Sequence, residues 1–132
     1  DDWNLRVVNT RHTVQNLGLR LEAGSPTKVF CYSGDGMFTP TASKLYTNAD
    51  LLVHEAYTND GTVKNPRGET VTIGTKTHCS LQQLERLDDM ARPKKMALIH
   101  LNRKLREDKK DILKKYRQRR WIMPDAGEVI EL

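Results

Sequence analysis

Three short apolar runs, "KVFCY" at 28–32, "DLLVH" at 50–54 and "MALIH" at 96–100, limit the possible fold more than any other feature. Each is too short for a stable helix and is continuous rather than alternating. That is the pattern of strands covered on both faces, as in a parallel sheet. Two earlier segments, "LRVVN" and "LGLRLE", alternate as half-buried strands do. The sequence thus predicts strands at about 4–9, 16–22, 27–33, 50–54 and 95–99.

Helical patterns lie between these runs. "PTASKLYTNA" begins with Pro40, which suits a first helical turn. "SLQQLERLDDMA" spaces Leu81, Leu84 and Leu87 for one face, with Ser80 and Gln83 placed as a capping box. Leu105, Ile112, Leu113 and Tyr116 form an apolar stripe on a third, basic helix. The end, "RWIMPDAGEVIEL", predicts two short strands joined by a turn at Pro124–Gly127. The stretch 56–77 is the longest without a pattern, and loops of that length are functional or disordered. Strands alternating with helices make an α/β unit.

Length and composition narrow the function classes. The 132 residues suffice for one domain with a modest core. No apolar run approaches the ~20 residues of a membrane span, and "DDWNLRVVNT" is no signal peptide, so the expected location is cytoplasmic, without a membrane partner. That opening lacks a methionine and becomes strand-like at once, which predicts a piece of something longer. Cys31 and Cys79 have no CxxC spacing and read as reduced thiols. The net charge of +5 is concentrated: residues 103–120 hold ten Lys/Arg against three Asp/Glu, a local +7 that leaves −2 elsewhere.

All four histidines fall at element ends. His54 and His100 close apolar strands, His12 follows "LRVVNTR", and His78 precedes a helix cap; Asp35 sits just past a strand in "SGDG". Ligands of open α/β sheets gather at the carboxyl ends of strands, where imidazoles and carboxylates can hold a metal or move protons. Each residue alone has a plainer reading. A histidine after a strand can be purely structural, "SGDG" can be a tight turn, and a basic helix can be a solvated face. The pattern by itself leaves both readings open.

The ordered set "RHTVQNLGLRLE", "VFCYSGDG", "ADLLVHEA", "THCS" and "ALIHLNR" resembles the carboxyl-terminal half of a metallo-β-lactamase-fold hydrolase, in the ribonuclease Z-like and arylsulfatase-like branch. The resemblance runs from about residue 5 to the final "GEVIEL". It implies half of an αββα sandwich with a mixed sheet and about three helices. It implies two divalent metals, zinc first with manganese possible, and hydrolysis of a phosphodiester by metal-bound hydroxide. His12, Asp35 and His100 match the metal ligands, with Asp35 as the bridging carboxylate. His54 and Glu55 match a pair near the metals, and His78 matches a histidine that, supported by that glutamate, protonates the leaving oxygen.

Two residues depart from the family pattern: Gly36 stands where threonine is usual, and Cys79 where serine is usual. A larger departure is that the family's His-x-His-x-Asp-His motif is absent from this chain. The expected metal site is therefore incomplete, and the missing amino-terminal half or a second copy of the chain is the expected partner. RNA or another phosphodiester is the expected substrate, with the basic segment a candidate for steering it. The alternative function is a non-catalytic half-fold module that acts through self-association or a partner chain.

Overall fold

The computed structural model describes residues 2–72 and 77–132. Eight strands appear among them: β1 (Trp3–Thr10), β2 (Asn16–Ala23), β3 (Lys28–Tyr32), β4 (Leu51–Glu55), β5 (Thr62–Lys64), β6 (Thr70–Thr72), β7 (Met96–Ile99) and β8 (Trp121–Ile122). The helices are α1 (Pro40–Leu45), α2 (Leu81–Ala91), α3 (Arg103–Glu107) and α4 (Lys109–Lys115). Six strands form one mixed sheet in the order β1-β2-β3-β4-β7-β8. The β1-β2-β3 part is antiparallel, and the β3-β4-β7-β8 part is parallel.

The helices start where the chemistry of their first turns dictates. Thr39 caps α1, accepting from Ala42 N, and Pro40 fills the first turn. Ser80 and Gln83 make the reciprocal capping box of α2, so two otherwise unpaired donors are satisfied at once. The basic segment forms two helices rather than one, because the backbone leaves helical geometry at Asp108 (φ −88°, ψ 8°). Asn102 caps α3 through Leu105 N.

Leu81, Leu84 and Leu87 of α2 join Ala42 and Tyr46 over Cys31, Leu52, Met96 and Leu98. Those sheet residues share one face by register, since β3, β4 and β7 pair Cys31 with Leu52 and Leu52 with Met96. The opposite face carries Leu5 and Val7 on β1, Leu19 and Leu21 on β2, Phe30 on β3 and Val53 on β4. None of these six belongs to the buried core cluster, and Trp3, Leu5 and Val7 are 68%, 48% and 54% exposed. β4 and β7 are nonetheless covered on both faces as expected, since Leu51 and Ala97 of this second face are buried, and the open apolar surface lies on β1, a strand read as half-buried.

Two further expectations are corrected. The 56–77 stretch is not featureless: Thr62–Thr72 and Val63–Val71 pair as a β5–β6 hairpin, tied by Asn65, whose side chain accepts from Arg67 N and Glu69 N. Short threonine- and valine-rich runs around "NPRGE" carry that signal. The carboxyl-terminal segment makes one strand, β8, and no second among the described residues, although Glu128 N donates to Asp125 O across the expected turn.

Gly18 shows how tightly the covered face is packed. A Cβ there would overlap the hydroxyl of Tyr46, a fully buried side chain whose oxygen has no hydrogen-bond partner among the described residues. Gly18→Ala is expected to destabilise the protein by about 1–3 kcal/mol through overpacking. Adding Tyr46→Phe removes the clashing oxygen and should restore most of that loss. Denaturant unfolding of both single variants and the double variant checks the coupling.

Candidate metal centre

The parallel strands β3, β4 and β7 end side by side, and chemistry-bearing residues follow from that. Glu55 is the last residue of β4, paired with Ile99 of β7, so His100 comes directly after its neighbour. Ser33 leaves β3 and donates its N–H to Val53 O at 3.0 Å; its hydroxyl accepts from Glu55 N at 3.2 Å. Asp35 follows two residues later. His100 has φ 54°, a left-handed conformation that costs energy for a residue with a side chain and recurs at functional sites.

Glu55 organises the group. Its side chain is wholly buried, yet one oxygen accepts from Cys79 N at 2.6 Å and the other lies 2.9 Å from His78 Nδ1 and 3.6 Å from His100 Nδ1. Asp35 Oδ1 lies 3.5 Å from the same His100 nitrogen. His12 joins through its ring, 5.1 Å from that of His78, which is itself 5.4 Å from His100. Burial pushes the Glu55 carboxyl up to about 8, against the opposing pull of the Cys79 N–H and of His100.

The loops that deliver these side chains are fastened by residues given no role in the sequence reading. Arg11 and Met37 exchange backbone hydrogen bonds at 2.8 and 2.9 Å, pinning the His12 segment to the Asp35 loop. Asn16 accepts from Asp35 N at 3.2 Å and donates to Ser33 O and to the Thr10 hydroxyl. Gly34 (φ 64°) and Gly36 both lie against that amide, and a Cβ at Gly36 would meet Asn16 Nδ2, Thr10 Oγ1 and Arg11 O at 2.6, 2.6 and 3.0 Å. The glycine that departs from the family pattern is therefore required by close approach. The Cys79 departure has a different explanation: Glu55 is held by the backbone N–H of residue 79, and the thiol is buried, with burial raising its pKa.

His54 lies apart from this group. Neighbouring residues of a strand face opposite ways, so His54 points into the core while Glu55 reaches the cluster. Its ring sits 6.2 Å from both Phe38 and Tyr46, and Nδ1 donates to Glu55 O at 2.9 Å. Burial lowers its pKa to about 4, so it is neutral, and Nε2 has no partner among the described residues. Tyr57, unassigned from sequence, does belong with the group: it stacks on His78 at 4.8 Å and 28° and lies 5.6 Å from His100.

Donor chemistry fits a divalent cation. Glu55, His78 and His100 each offer a ligand atom, all within 4.8 Å of one another; of the three ligands expected from the sequence, only His100 belongs to this set, and His12 and Asp35 lie outside it. A buried carboxylate whose charged form is disfavoured gains from a cation, and imidazole with carboxylate is a common set for zinc.

No protein-family model matches the sequence, and no curated protein matches it. Solved structures do. Human tRNase Z, short form, aligns at TM-score 0.61 and 22% identity over 80% of this chain. YhfI from Bacillus subtilis, a metallo-β-lactamase fold protein, aligns at 0.58 and 19% over 75%. The chain has a metallo-β-lactamase fold. The long form RNase Z from yeast aligns at 0.59 and 19% over 75% of this chain. The chain spans 40%, 36% and 13% of those three proteins, well under two thirds of each. In the metallo-β-lactamase frame, the five sequence pieces that suggested the resemblance lie within one contiguous α/β unit.

Gly36→Ala is expected to displace the Asp35 loop and destabilise the protein by about 1–3 kcal/mol, because backbone and buried polar atoms must move. Cys79→Ser, the family-like residue, should leave the Glu55 contact intact. Thermal unfolding of both variants measures the contrast.

Proposed function

We propose that this chain is the carboxyl-terminal part of a metal-dependent hydrolase acting on phosphodiesters, with the remaining part supplying the other ligands. The observation that carries the proposal is the convergence of Asp35, Glu55 and His100, from the ends of three parallel strands, with His12 from beyond β1 and His78 from the loop before α2. RNA is the first substrate to test, since two of the similar structures are named as tRNase Z and RNase Z.

In this reading His12, Asp35 and His100 hold the cation, zinc first and manganese second, while Glu55 and His78 handle the proton. A bound divalent cation supplies Lewis acidity and lowers the pKa of water. Glu55 fixes the tautomer and orientation of His78 by accepting from Nδ1, which leaves Nε2 to exchange a proton with a leaving oxygen. Asn16 and Ser33 hold the Asp35 loop and the Glu55 backbone in place. His54 takes no part in the chemistry and serves the core.

The open sheet face supports a partner. Trp3, Leu5 and Val7 extend an apolar surface that the core helices do not cover, and such a face attracts a partner. The occupant proposed is the missing amino-terminal half, consistent with a chain spanning 40% of the first matched structure. The competing reading, a non-catalytic half-fold module, shares this face and differs in chemistry.

Two outcomes are expected. Expressed alone, the chain should bind zinc weakly, show negligible phosphodiester hydrolysis and sediment as more than a monomer at micromolar concentration. Replacing Trp3, Leu5 and Val7 together by lysine should reduce that association. In the intact protein, His78→Asn should retain zinc in calorimetry while lowering hydrolysis by about 10²–10⁴-fold. Loss of zinc on that substitution would make His78 a ligand, and zinc retention with no hydrolysis by the unmodified protein would favour the binding module.

A further inference from the structure

A cavity of about 900 Å³ opens beside the cluster, between the β5–β6 hairpin and the α3–α4 segment. Tyr57 is the residue common to both: it stacks on His78, lies 5.6 Å from His100 and forms the inner wall of the cavity. Leu105, Ile112, Val63 and Tyr116 also line it. Tyr116 is itself held rigid, stacked on Trp121 at 4.5 Å and 28° and bonded through its hydroxyl to Glu85.

The charges around this space cancel. Four basic and four acidic side chains line it. Arg103 is paired with Glu107 at 2.7 Å and Lys104 with Asp108 at 2.9 Å, while Lys64 donates to the Thr70 hydroxyl. Such a lining offers little net field to a further phosphate. It does offer the Tyr57 ring and apolar side chains, while the Tyr116 ring is taken by Trp121 and by the Lys115 ammonium 4.7 Å from its centroid. A ring gains at Tyr57 from stacking with centroids about 4.5–7 Å apart, beyond the gain from area alone.

We propose that this cavity receives a flat, uncharged aromatic substituent of the substrate, and that Tyr57 is the residue that selects it. The placement of the substituent rests on the hydrolase reading. A group esterified to a phosphorus at the cluster would enter the cavity past Tyr57, the residue in contact with both histidines. The ring preference itself rests only on the cavity wall. Tyr57 acts by packing, so its contribution is a preference for flat over flexible apolar groups of similar size.

The test compares diphenyl phosphate with dibutyl phosphate, which carry the same anion with flat or flexible apolar groups. Binding is measured by calorimetry on the intact, chelator-treated protein. The expected result is at least about tenfold tighter binding of the diphenyl ester, reduced to within about twofold by Tyr57→Leu and retained by Tyr57→Phe. Cross-relaxation from the phenyl protons to the Tyr57 ring should appear in the unsubstituted protein, which makes the result independent of any variant's folding. Equal affinity for the two esters, or no such cross-relaxation, overturns the proposal. Because zinc is absent from this experiment, a failure of zinc binding or hydrolysis elsewhere leaves the ring preference standing and removes the hydrolase reading alone.

Discussion

The structure depends on a buried carboxylate that needs partners. Glu55 sits at the end of a parallel strand with no exposed side-chain surface, and an unpaired carboxylate there would be strongly disfavoured. Two segments distant in sequence answer that need. Cys79 N–H and His78 come from the loop before α2, and His100 comes from the end of β7. Removing Glu55 would therefore free a loop and a strand end together, not one contact.

The same constraint separates structure from chemistry within single dipeptides. His54 and Glu55 are adjacent, yet strand alternation sends one to the core and the other to the cluster. In "HCS", His78 presents its ring to Glu55 and Tyr57, while Cys79 contributes its backbone, donating N–H to Glu55 and accepting from Tyr57 N, and fills the core with its thiol. A substitution at residue 79 can thus be read as a packing change, even though its neighbour touches Glu55, Tyr57, His12 and His100.

Much of this was legible in the sequence because the signals were local. The strand ends, the Pro40 helix start and the Ser80–Gln83 capping box depend on residues close in sequence, and all appear. The positions of His12, Asp35, His78 and His100 at element ends also marked where the sheet edge would gather them. What was missed depends on tertiary contacts. Asn16 looks like an ordinary strand residue until its amide meets the Asp35 loop, and Gly36 looks like a lost threonine until the space for a Cβ proves absent. The continuous apolar runs of β4 and β7 marked strands buried on both faces, whereas the alternation of β1 did not show that its apolar residues are the ones left open. The hairpin within 56–77 was missed because only the three-residue runs "TVK" and "TVT" signal it, each shorter than an ordinary strand.

The central claim is that the ends of β3, β4 and β7 form a cation site built from imidazole and carboxylate. Zinc X-ray absorption on the intact, zinc-loaded protein tests it most directly. The account predicts nitrogen and oxygen ligands at about 2.0–2.2 Å, with imidazole scattering that changes when His12, Asp35 and His100 are replaced by alanine. Sulfur ligation at about 2.3 Å, which would implicate Cys31 or Cys79, or a spectrum unchanged by those three substitutions, would contradict it.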